Sequence, residues 1–155
     1  MTNSATPTTA PRPIVIAGGG TAGHILPGLS IAEALIDAGV DRSELLWIGS
    51  DRGQETSLVP PSGIELVALK GRGIQRSLAP KAIKDNVGAL IGLASAGFKA
   101  LSIVRKRRPA AVLMLGGYAS AAAAAAAVLC RVPIIIAEQN AVGGAANRAF
   151  GRFAQ

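Results

Sequence analysis

The sequence predicts an α/β domain, a doubly wound parallel sheet with helices on both faces. Three observations carry this. Five short apolar runs rich in Ile, Val and Leu recur along the 155 residues. Each is too short for a helix and ends at glycine or a polar residue, as a strand buried on both faces does. Helical segments lie between most of the runs, and that alternation is the mark of a parallel sheet. Glycine-rich turns follow the first and fourth runs, at the carboxyl ends of strands, where such sheets bind ligands.

Taken in order, "PIVIA" (13–17) is the first strand, followed by "GGGTAGHILPG" (18–28). The spacing predicts a helix from Pro27 to Ala38 closed by Gly39, with proline at its start and glycine past its end. "LLWIG" (45–49) and "IELVAL" (64–69) are the next strands, and a long helix is expected over roughly 80–107. Within it, "NVGALIGLASAGFKALSIV" (86–104) is long enough to span a membrane. Its apolar stripe (Leu90, Leu93, Gly97, Leu101, Val104) is opposed by a small and polar one (Gly88, Gly92, Ser95, Lys99, Ser102). A lipid-spanning helix is apolar all round and a central lysine is costly there, so this is an amphipathic helix laid on the sheet. "AVLML" (111–115) is the fourth strand. A helix over roughly 119–130 follows, its alanine tract 121–127 having the best helix propensity and suiting close contact with the sheet. "PIIIA" (133–137) is the fifth strand.

Composition narrows the function. Half the residues are hydrophobic and 16% charged, which excludes a disordered chain, and 3% aromatics argues against base stacking on nucleic acid. The formal charge of +7 calls for an acidic partner such as phosphate or anionic lipid. Residues 1–12, "MTNSATPTTAPR", lack the apolar core of a signal peptide and read as a disordered tail. The single cysteine, Cys130, has no internal partner, which suits a reducing compartment.

The turn after the first strand lets backbone N–H groups approach a phosphate, aided by the partial positive charge of the helix that follows. It lacks the Lys-Ser/Thr of a Walker loop and is a poor match to a dinucleotide fingerprint. His24, the only histidine, follows at once. A helix N-terminus disfavours the protonated imidazole, and a neutral ring beside a phosphate loop is suited to taking a proton from a hydroxyl. Alone, His24 is better read as a helix-capping or hydrogen-bonding histidine. "GGYAS" (116–120) is a second glycine turn opening a helix, and "AEQNAVGGAANR" (137–148) clusters Glu138, Gln139 and Asn140 at the end of the fifth strand. In a parallel sheet all three segments face one edge and converge on one cleft.

These three segments, in this order and spacing, resemble the N-terminal domain of the MurG family of bacterial peptidoglycan glycosyltransferases, over residues 13–155. The resemblance implies a Rossmann-like domain, the N-terminal half of a two-domain GT-B enzyme. It implies inverting transfer of N-acetylglucosamine from UDP-N-acetylglucosamine to the 4-hydroxyl of undecaprenyl-pyrophosphoryl-N-acetylmuramoyl-pentapeptide (lipid I), giving lipid II. It implies no cofactor and no metal, and no DxD motif occurs in the chain. Carried over by position, Thr21, Ala22, Gly23 and Asn140 meet the donor. Gly18, Gly19, Gly20, Gly116, Gly117 and Tyr118 hold the acceptor diphosphate. His24 is the candidate base and Glu138 the next; Gln139 borders the cleft.

The chain departs from the family pattern in three places. Ala22 stands for a common glycine, Ala137 for the histidine before E-Q-N, and Ala121 and Ala122 for a Gly-Pro. It also ends at "GRFAQ", without the second domain that supplies most contacts to uridine diphosphate. That implies either a fragment or one subunit of a split transferase needing a partner, and little activity alone.

Between 70 and 108 the chain holds ten bases against one acid, Asp85. Over 70–84, Lys70, Arg72, Arg76, Lys81 and Lys84 interleave with Ile74, Leu78 and Ile83. A solvated face has this pattern, and so does peripheral contact with an anionic membrane at ~1 kcal/mol per base. A lipid-linked acceptor favours the second, placing the protein on the cytoplasmic side of the inner membrane with no role for nucleic acid. A non-catalytic phosphate-binding module is the alternative, and the E-Q-N cluster opposite two glycine turns argues against it.

Overall fold

A computed structural model describes residues 12–70 and 80–155, with backbone only for 80–91 and 93. Strands β1 (Ile14–Gly18), β2 (Leu45–Ser50), β3 (Glu65–Leu69), β4 (Ala111–Gly116) and β5 (Ile134–Ile136) form one sheet in the order β3-β2-β1-β4-β5. Every pairing is parallel. The five strands coincide with the five apolar runs. The order reverses direction between β1 and β4, which makes the carboxyl ends of these two strands the topological switch point.

The pleat divides each strand between two cores. Val15, Ala17, Leu46, Ile48, Val112 and Met114 face the helices α3 (Pro80–Arg107) and α4 (Tyr118–Cys130). Ile16, Leu45, Trp47, Leu113 and Leu115 face α1 (Ala22–Asp37) and Val59, just past the short helix α2 (Glu55–Leu58). The alanine tract works as expected: Ala122, Ala123, Ala124, Ala126 and Ala127 are buried between the sheet and α3, where larger side chains would hold the layers apart. The core face of α3 is Ala96, Ala100 and Val104, with Leu101 at its margin. Lys99, on the opposite stripe, donates to the Ala68 carbonyl at 2.8 Å. No helix among the described residues is long and apolar enough to cross a membrane.

Helix α1 starts five residues before the expected proline. Thr21 is its N-cap, and the Thr21 carbonyl already accepts from the amides of His24 and Ile25. The glycine loop therefore turns directly into helix, and Pro27 sits inside it, where its missing N–H forgoes one bond to the preceding turn. At Gly28, α1 comes so close to the sheet that a Cβ would stand 2.6 Å from the Trp47 ring. Trp47 in turn donates from Nε1 to the Gly18 carbonyl at 3.0 Å, tying β2 to the start of the loop.

Residues 1–11, where a disordered tail is expected, lie outside the described residues; Arg12, at the end of that stretch, bonds to the domain. Its guanidinium donates to the carbonyls of Arg108 and Pro109, each at 2.9 Å, and closes the end of α3. Of the basic segment, Arg72, Ile74, Arg76 and Leu78 lie outside the described residues. Lys81, Ile83 and Lys84 belong to α3 by backbone alone, and Lys70 is exposed at the end of β3. At the other end of the chain, Ala154 bridges to Ile134 along the outer edge of β5.

Candidate functional site

The three segments picked out in the sequence meet at the switch point. Gly116 ends β4 with φ of +108°, and a Cβ there would stand 3.0 Å from Cδ2 and Nε2 of His24 and 3.9 Å from Nδ2 of Asn147. Gly117 (φ +87°) lies against Gly19, whose carbonyl oxygen would be 3.1 Å from a Cβ at 117. The second glycine turn is thus a backbone floor on which the first loop rests. His24 is half-buried on that floor, and its Nδ1 is 3.3 Å from the Thr21 hydroxyl oxygen.

The third segment is organised by Glu138. One of its oxygens accepts from Asn140, from the backbone N–H at 3.0 Å and the side-chain amide at 2.8 Å. The other accepts from the Gly144 N–H at 2.7 Å and from Asn147 Nδ2 at 2.9 Å. These donors, the Gly144 amide foremost and then Asn140, hold the carboxyl well below its ordinary range, at about 2. Both oxygens are occupied as acceptors, so Glu138 serves as the scaffold of its loop rather than as a free base. It carries Asn140, which is exposed, and Asn147, which is buried with Oδ1 unpartnered among the described residues.

Three expected donors are spent elsewhere. The Tyr118 hydroxyl donates to the Leu69 carbonyl at 3.0 Å, on the α3 side of the sheet. Burial, followed by the charges of Asp51 and Glu55, pushes its phenol up to about 12. The Gly20 N–H points inward to Glu55 at 2.8 Å, and the Ala22 N–H is taken by Gln54 at 2.8 Å. Amides remain at the start of α4, where those of residues 118–120 have no intrahelical partner; among the described residues the Ser120 hydroxyl accepts from the Gly116 N–H at 3.4 Å. Gln139 is exposed and donates to the Ala137 carbonyl two residues before it. Among the described residues no group of three or more His, Cys, Asp or Glu is placed to hold a metal ion.

Glu55, Gln54 and Asn147 escaped the sequence reading. Asn147 lay inside a quoted motif with nothing to mark it. Glu55 had one legible signal, the two glycines shortly before it at 49 and 53, the pattern left by a bulky group that needs clearance.

A parallel sheet in the order 3-2-1-4-5, with glycine turns, a histidine and an amide cluster at its switch point, is a Rossmann-like ligand-binding domain, and its relatives make it the N-terminal half of a GT-B glycosyltransferase. The chain belongs to glycosyltransferase family 28: the family's N-terminal domain matches residues 14–155. Among curated relatives is the UDP-N-acetylglucosamine--N-acetylmuramyl-(pentapeptide) pyrophosphoryl-undecaprenol N-acetylglucosamine transferase of Desulforudis audaxviator, 38% identical over 141 residues. The enzyme of the same name from Alkalilimnicola ehrlichii is 41% identical over 143 residues. These matches cover 91% and 92% of this chain but only 36% and 38% of the relatives, so the chain spans little more than a third of their length. The crystal structure of Acinetobacter baumannii MurG superposes with a TM-score of 0.76 at 29% identity, over 94% of this chain and 40% of that one. SnogD, a glycosyltransferase from Streptomyces nogalater, shares the fold at TM-score 0.54 and 19% identity, over 85% of this chain and 35% of its own.

Proposed function

We propose that this chain is the acceptor-side half of an inverting N-acetylglucosaminyltransferase that converts lipid I to lipid II with UDP-N-acetylglucosamine as donor. The observation that carries the reading is the seating of His24 on the second glycine turn, at the switch point and beside the Glu138-held loop. In the proposed step His24 takes the proton of the acceptor's 4-hydroxyl as that oxygen bonds to the anomeric carbon from the face opposite the departing uridine diphosphate. Thr21, Ala22, Gly23 and Asn140 meet the donor sugar. Gly18, Gly19, Gly116 and Gly117, with the first amides of α4, receive the acceptor diphosphate; Gly20 and the Tyr118 hydroxyl contribute by shaping the turns. Glu138 holds Asn140 in place and leaves the base role to His24.

The reaction needs a second domain or partner subunit for the nucleotide. Residues 70–84, with Lys70, Arg72, Ile74, Arg76, Leu78, Lys81, Ile83 and Lys84, bring the domain to the anionic inner surface of the membrane, where its lipid-linked acceptor resides. The test joins this chain to the C-terminal domain of a two-domain relative and follows sugar transfer from UDP-N-acetylglucosamine to a lipid I analogue. Transfer with inversion is expected. A chimera that folds and binds the donor yet transfers nothing overturns the proposal.

A further inference from the structure

Glu55 is fully buried at the start of α2, although no part of the proposed step uses it. A buried carboxylate is costly unless its oxygens are bonded, and here both are. Oε2 accepts from the Gly20 N–H at 2.8 Å and Oε1 accepts from the Ser50 N–H. The side chain lies in a pocket made of glycine: a Cβ at Gly19 or Gly53 would run into the carboxylate, and one at Gly49 would stand 2.6 Å from Cγ. This accounts for the middle glycine of the first loop more directly than a bound phosphate does. The neighbouring Gln54 holds the other flank of the loop through the Ala22 N–H.

What Glu55 holds on one side faces the candidate site on the other. The Gly19 carbonyl rests on Gly117, and Thr21, the residue after Gly20, caps α1 and touches His24. We propose that Glu55 is a positioning residue: an internal anion that takes the inward amide of the first glycine loop, locks that loop to the end of β2, and so aims Thr21 and His24 at the acceptor. Its hold on the loop stands by itself; its effect on transfer rests on the function proposed above. The two-oxygen geometry explains why a carboxylate is required. Glutamine in the same place has one acceptor and one donor, and would turn an N–H₂ against one of the two amides.

Amide hydrogen exchange on this chain tests the hold. In Glu55→Gln, exchange at Gly20, Ser50 or both rises about tenfold or more, as a lost charged hydrogen bond would give, while Val15 and Leu113 in the sheet keep their rates. Gly53→Ala, which leaves the carboxylate in place but presses on it from outside the loop, produces the same local pattern and covers the case in which Glu55→Gln does not fold. In the transferring chimera both variants lower kcat by roughly 10–100-fold, the cost of small misplacement, with the donor KM nearly unchanged. Unaltered exchange at Gly20, or a uniform rise throughout the sheet in whichever variants fold, overturns the proposal, as does normal kcat in a chimera carrying either variant. A chimera that is inactive without any substitution counts against the proposed function instead, and the exchange result still decides whether Glu55 holds the loop.

Discussion

The His24 imidazole rests on Gly116, with Cδ2 and Nε2 both 3.0 Å from the point where a side chain at 116 would begin. Two residues 92 positions apart in the chain therefore share one wall of the switch-point crevice.

In the two-domain chimera, His24→Ala lowers kcat by ~10²–10⁴-fold, the usual worth of general-base assistance, and leaves the donor KM close to its starting value. Asn140→Ala does the reverse and mainly raises the donor KM. Steady-state kinetics with varied donor separates the two; near-normal turnover without the imidazole would reduce His24 to a cap.

Gly116→Ala tests the floor beneath the ring. The substitution places a methyl group against the imidazole and puts alanine at φ of +108°, a strain of about 1–3 kcal/mol. Chemical denaturation measures that loss, and the His24 ring resonances shift in the same variant. A variant with unchanged stability and unchanged His24 resonances would remove the contact from the account.

Tyr118→Phe separates packing from binding. The phenol lies half-buried with its proton committed to the Leu69 carbonyl, so the change costs about 0.5–1.5 kcal/mol of stability. Acceptor KM in the chimera should stay within twofold or so, because charge-assisted bonds to phosphate come from elsewhere. A large rise in acceptor KM with no loss of stability would return the hydroxyl to the diphosphate.

The order of the 138–147 loop depends on pH with a definite sign. Glu138 is held down at about 2 in the folded chain, against 4.5 for a free carboxyl. A depressed carboxyl contributes its full stabilisation above the unfolded value and loses it as pH falls through the folded one. The bonds to Asn140, Gly144 and Asn147 therefore persist at pH 5 and weaken between about 4.5 and 2. The Asn140 and Gly144 amide resonances report it. The same titration in Glu138→Gln is flat over that window; a wild-type loop indifferent to pH there would contradict the assignment.

The membrane contact proposed for residues 70–84 rests on charge, so sedimentation with anionic liposomes is expected to fall on going from low to high salt as the Debye length shrinks to several ångströms. Equal binding to neutral and anionic vesicles would sink the idea.

The sheet was legible because burial on both faces leaves a signal in every residue of a strand. "IVIA", "LLWIG" and "AVLML" can hardly be anything else in a chain of this composition, and their alternation with helices implies parallel pairing. The convergence of 18–24, 116–120 and 137–148 on one edge followed from the same rule. The start of α1 was misread because Pro27 is a strong local marker, whereas the loop-to-helix transition at Thr21 is set by carbonyl and amide geometry that no residue type announces.

The sequence by itself determined the sheet, the order of its layers, and the edge at which chemistry would gather, since hydrophobic period and glycine placement act locally. Only the tertiary structure decided which donors remain for a ligand. Gly20 gives its N–H to Glu55, 35 residues away, and Tyr118 gives its proton to Leu69 across the sheet. A hydrogen bond between distant segments depends on which strands lie side by side. Until the chain folds, every amide in a glycine loop is an equal candidate.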